Sequence, residues 1–102
     1  MIIIKGEEEL KYIRKACRIA AEVLLEVKGA LRAGVTTLEL DDLAERLLLK
    51  AGALPAFKGY RGYKYATCLS VNNEVVHGLP TRRVLKEGDI ISVDIGAQFG
   101  GF

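Results

Sequence analysis

Ile90-Ile91-Ser92-Val93-Asp94-Ile95-Gly96-Ala97, fed by the turn Lys86-Glu87-Gly88-Asp89, is the most strand-like stretch of the 102-residue chain. β-Branched residues dominate it, and the glycine-bearing turn in front sets its start. In a strand, Ile91, Val93 and Ile95 share one face while Ile90, Ser92, Asp94 and Gly96 share the other. So apolar a run predicts burial on both faces, which makes Asp94 the residue that hydrophobicity does not explain. A carboxylate buried without a partner is costly, and the remedies are a Lys or Arg, a metal cation or a raised pKa. Something positive should face Asp94.

Upstream, residues 65–71, Tyr-Ala-Thr-Cys-Leu-Ser-Val, are rich in strand formers and end at the turn signal Asn72-Asn73, so a hairpin fits. Val75-Val76 then leads to His77-Gly78-Leu79-Pro80, whose glycine and proline leave the single histidine at a loop edge. His77 alone suits a surface or structural role as readily as a functional one. Tyr60, Tyr63 and Tyr65, interleaved with Gly59 and Gly62, suit an aromatic cluster closing a core. Cys68 by itself reads as a small buried hydrophobe.

The first half reads as two helices. Leu10, Ile13, Cys17, Ala20, Leu24, Val27 and Leu31 recur at spacings of three and four, predicting one apolar stripe on a helix from Glu7 to Leu31. Glu7, Glu8 and Glu9 suit the positive end of its dipole. After a turn at Ala33-Gly34, Thr36 and Glu39 form a capping box ahead of Leu40, Leu43, Ala44, Leu47 and Leu48, and Gly52 is placed to end that helix. Periodicity assigns both helices to core packing.

Composition narrows the class. Fifteen Lys and Arg against 13 Asp and Glu give a net charge of +2 with no basic block, so the chain carries no electrostatic footprint for nucleic acid. Met1-Ile2-Ile3-Ile4-Lys5 is too short for a signal or a membrane span and reads as a short edge strand. Cys17 and Cys68 show no CxxC spacing, and two thiols make no disulfide framework, which predicts a reduced, cytoplasmic setting. One domain is the ceiling for a chain of this length.

Taken jointly, PAFKGYRGYKYATCLSVNNEVVHGLP at 55–80 and EGDIISVDIGAQFGGF at 87–102 closely resemble the type I methionine aminopeptidases. The resemblance runs from the first helix to Phe102. It implies the first half of the α+β pita-bread fold, two helices packed on antiparallel strands, as an amino-terminal half-domain over residues 1–102. It implies that Asp94 is a metal ligand in a site for two divalent ions, cobalt, manganese, iron or zinc. It further implies that His77 hydrogen-bonds the scissile peptide and that Phe57, Tyr60, Tyr63 and Cys68 line the pocket for the methionine side chain. The implied reaction is metal-assisted hydrolysis that frees the initiator methionine from the amino terminus of a nascent polypeptide.

Two departures bear on that implication. Members of the family carry a second aspartate shortly after the position of Phe102, then a histidine and two glutamates, and the 102 residues contain none of these. One carboxylate does not hold a dinuclear site, so the resemblance implies that this chain taken alone is inactive and binds no metal tightly. Lys64 stands where relatives often carry proline. A non-enzymatic binding protein, or a half-domain made for study, are the alternative readings. An apolar sheet face left uncovered would promote self-association or pairing with a complementary half.

Overall fold

Glu7, Glu8 and Glu9 open the first helix, α1 (Glu7–Ala30), and Lys28 lies in its last turn, so both ends carry charge of the sign that the helix dipole favours. The computed structural model describes residues 6–72 and 78–102. The expected edge strand at residues 1–5 and the expected hairpin through Asn73 therefore lie outside the described residues. The second helix, α2 (Thr37–Lys50), starts where expected, with the Thr36 hydroxyl accepting from the Glu39 N–H at 3.1 Å. It ends in a Schellman arrangement in which Gly52, at φ +85°, donates to Leu49 O while Ala53 donates to Leu48 O at 2.9 Å.

The buried line of α1 differs from the predicted one. Ala16, Ile19, Val23 and Val27 face the core, whereas Cys17 is exposed and Leu24 is 42% exposed. Two neighbouring apolar lines run along this helix, displaced by one residue. Period alone does not choose between them; contact with α2 and the strands selects the line that carries Ile19, Val23 and Val27.

Four strands follow: β1 (Leu54–Pro55), β2 (Thr67–Val71), β3 (Ile91–Ile95) and β4 (Ala97–Gln98). They form two antiparallel pairs, β2 with β3 and β1 with β4, and a short 3₁₀ turn at Tyr60–Gly62 lies between β1 and β2. The expected strand over 90–97 is thus divided at Gly96, where a side chain would press on Ala56 and Phe57 at 3.0 Å. The link between the helices is held by the stretch after Pro80: Leu85 donates to Val35 O at 2.7 Å, and Thr81 donates to the Thr37 hydroxyl at 2.8 Å.

In the β2–β3 ladder Thr67 faces Ile95, Cys68 faces Asp94, Leu69 faces Val93 and Val71 faces Ile91. Leu69 and Val71 are buried with Leu40, Ala44 and Leu48 of α2, and Ile91, Val93 and Ile95 pack against this cluster. The predicted division of β3 into two faces is therefore present. Burial on both faces is not: Ser92 and Asp94 are exposed and the strand alternates between half-buried and exposed. The helices cover one side of the sheet only, so the apolar run reflects strand propensity more than enclosure.

Candidate active site

The uncovered side of β2–β3 and the glycine-rich loop before β2 enclose a cleft of about 520 Å³ lined by Phe57, Tyr60, Arg61, Gly62, Tyr63, Cys68 and Asp94. Five of the six residues singled out from the sequence meet here: Phe57, Tyr60, Tyr63, Cys68 and Asp94. The sixth, His77, lies outside the described residues. Cys68 and Asp94 are brought together by ladder register, since directly opposed residues of an antiparallel pair project to the same face.

The loop wall is shaped by backbone that bends where few side chains permit it. Gly59 and Gly62 adopt φ +88° and +79°, and Arg61 between them sits at φ +51°. This bend presents Tyr60, 67% exposed, at the rim with the Arg61 guanidinium 5.4 Å from its ring centre, while Tyr63 turns inward. Tyr63 packs edge-on against Tyr65 with centroids 5.8 Å apart, and its hydroxyl donates to Thr67 O at 2.6 Å. Burial, with the Cys68 thiol beside it, pushes the Tyr63 phenol above its ordinary 10.0, so it remains a neutral donor at physiological pH.

Asp94 is the cleft's carboxylate. Among the described residues no Lys or Arg forms an ion pair with it, so the alternative of a structural cation partner is not realised there. An unpaired carboxylate on the open floor of a concave site suits a hard divalent cation. It would supply one protein ligand of the several that such an ion takes.

Sequence reasoning missed two groups behind the cleft. Asp41 of α2 is 2% exposed, and its Oδ1 accepts from both the Thr67 N–H at 2.8 Å and the Thr67 hydroxyl at 2.6 Å. Burial pushes the Asp41 carboxyl above 3.8 despite these two donors, which pull it the other way. In the sequence Asp41 is one half of an Asp-Asp pair in a helix start, with nothing to show that it turns inward. Asp42 and Glu45 lie close to it, with carboxylate oxygens of the three within 4.8 Å, but Glu45 accepts from Lys58 at 2.5 Å and Asp41 is held by Thr67.

The chain matches metallopeptidase family M24 over residues 11–102, and it belongs to that family. It is 52% identical over its whole length to methionine aminopeptidase 1 of Bacillus subtilis strain 168 and 50% identical to a methionine aminopeptidase of Clostridium acetobutylicum. In both cases it spans 41% of the relative's length. The crystal structure of methionine aminopeptidase from Thermotoga maritima superposes with a TM-score of 0.95 at 49% identity, covering 99% of this chain and 41% of that one. The α+β arrangement is thus that of the first part of the pita-bread fold. Among the described residues no helix is long and apolar enough to cross a membrane.

Proposed function

We propose that this chain supplies the methionine-binding wall and one metal-binding carboxylate of a metal-dependent aminopeptidase that removes the initiator methionine from nascent polypeptides. The observation that carries the reading is the convergence of Phe57, Tyr60, Tyr63 and Cys68 with Asp94 around one cleft. Aromatic edges and a thiol give soft, adaptable contacts to an unbranched thioether side chain. When bound, divalent cations of the family's kind lower the pKa of water and polarise a carbonyl. Asp94 is the residue here that would hold them, and His77 is the residue proposed to hydrogen-bond the scissile peptide.

The remaining residues act by shape and exclusion. Phe57 and Tyr63 wall the cleft, and Gly96 admits the Phe57 ring because it has no side chain to displace it. Selection of a free amino terminus over an internal peptide would need the cleft closed at one end when the substrate binds. The setting proposed is the cytoplasm, where polypeptides emerge and where the free thiols of Cys17 and Cys68 persist. Leu25, Leu54 and Ile90, all more than half exposed, are proposed as surface for pairing with a second copy or a complementary half. A strictly monomeric sedimentation profile at high concentration would count against that pairing.

The test is titration of the labelled chain with a Met-Ala-Ser tripeptide and with Gly-Ala-Ser, followed by NMR. The reading expects shifts at Phe57, Tyr60, Tyr63 and Cys68 with the methionine peptide only. Equal response to both peptides, or shifts centred away from the cleft, would overturn it. With cobalt or manganese added, the chain taken alone is expected to release no methionine.

A further inference from the structure

Asp41 raises a question that the cleft residues do not answer. It is a buried carboxylate that accepts from the N–H and the hydroxyl of Thr67, with the Ala66 N–H acting on it as well, and Thr67 is itself 1% exposed and opens β2. Lys58, the nearby cation, pairs with Glu45 instead. Thr67 in turn uses its carbonyl to accept the Tyr63 hydroxyl at 2.6 Å, and it precedes Cys68, the cross-strand partner of Asp94. A single chain of contacts therefore runs from the amino-terminal part of α2 through the first residue of β2 to two walls and the floor of the cleft.

We infer that Asp41 and Thr67 are positioning residues that set the specificity of the cleft by fixing the Tyr63 ring and the Cys68–Asp94 register from behind. Asp41 is not among the residues that line the cleft. It clamps Thr67 through its N–H and its hydroxyl, which anchors the start of β2, and the ladder pairing of Thr67 with Ile95 holds the next peptide, whose carbonyl receives the phenol. The Tyr63 ring is held at both ends, by Tyr65 at its edge and by Thr67 at its hydroxyl. A pocket wall fixed in this way is pre-shaped for its ligand, and ordering it costs less on binding.

The inference rests on the reading of the cleft as a methionine side-chain pocket, and the experiment separates the two. The chain is labelled at the ζ carbons of its four tyrosines, and affinity for the Met-Ala-Ser tripeptide is measured for Asp41→Ala, Asp41→Asn, Thr67→Val, Tyr63→Phe and the Asp41→Ala/Tyr63→Phe pair. Loss of one hydrogen bond in the chain lowers affinity roughly 3- to 10-fold. Asp41→Ala and Tyr63→Phe should each show that loss, Asp41→Asn should recover most of it by keeping the acceptor oxygen, and the double variant should be no worse than the worse single one. The Tyr63 resonance should move in Asp41→Ala without any peptide present.

Simple addition of the two losses in the double variant would overturn the inference, because a merely structural Asp41 acts independently of the phenol. An unmoved Tyr63 resonance in both Asp41→Ala and Thr67→Val would also overturn it. If Asp41→Ala does not fold, Thr67→Val, which keeps the shape and both main-chain groups, carries the same comparison. Failure of the wild-type chain to respond to the peptide would sink the methionine reading alone, since the peptide-free Tyr63 shift still reports the link from Asp41.

Discussion

Gly78 lies so close to Leu69 that a Cβ at position 78 would collide with the Leu69 carbonyl oxygen and stand 2.7 Å from Ser70 Cα. The approach is bonded as well as tight: Leu69 donates to Gly78 O at 2.8 Å, and Gly78 donates to the Ser70 hydroxyl at 3.2 Å. β2 is thus flanked by β3 on one edge and by this glycine on the other. Gly78→Ala should cost about 2–4 kcal/mol, because the obstacle is backbone and not a movable side chain. Gly29, near the end of α1 with open space around it, makes the control: Gly29→Ala should gain roughly 0.5–1 kcal/mol. Urea unfolding of both variants checks the pair, and equal effects would refute the assignment of strain to position 78.

Manganese should find Asp94. Paramagnetic broadening on addition of Mn²⁺ should be greatest at residues 67–69 and 93–95 and should vanish in Asp94→Asn, with the fold unchanged. The competing locus is explicit: Asp41, Asp42 and Glu45 bring carboxylate oxygens within 4.8 Å. Broadening centred on α2 that survives in Asp94→Asn would remove Asp94 from the proposed metal site.

Two aspartates should shift stability with pH in opposite senses. Asp89 accepts from Asn72 Nδ2 and from the Lys86 N–H, both at 2.9 Å, and these bonds hold its carboxyl below 3.8. Its contribution is therefore present above 3.8 and is lost as pH falls through the lowered native value. Asp41 is held above 3.8 by burial, so the native state binds its proton more tightly than the unfolded chain does. That contribution is full below 3.8 and declines as pH rises through the raised native value. Carboxyl ¹³C titration should place the Asp89 midpoint below 3.8 and that of Asp41 above it; the reverse order would refute both accounts.

What the sequence disclosed depended on how local each cause is. The cap of α2 was legible because Thr36 and Glu39 are three residues apart, and the turn at Gly52 because a positive φ asks for glycine. The facing of Asp94 followed from a period of two. Its burial did not, because exposure depends on what covers the sheet and the helices cover only the opposite face. The core line of α1 was misassigned for a similar reason: Ala16, Ile19 and Val23 sit one residue from Cys17, Ala20 and Leu24, and only contact with other elements separates the two lines. The cleft's membership came from resemblance, not from spacing. Asp41, 26 residues from Thr67, left no local signal at all.

The short ladder between β1 and β4 carries a consequence for how the cleft comes into being. Leu54 pairs with Gln98 and Pro55 with Ala97, so every residue from Phe57 to Asp94 lies within the loop that these two pairings close. Joining ends so far apart in sequence is paid in chain entropy before any local contact returns it. The helical hairpin can assemble early from neighbours in sequence, whereas the binding wall has to wait for its far strand. On a ribosome, this polypeptide would carry a formed scaffold well before it carried a cleft.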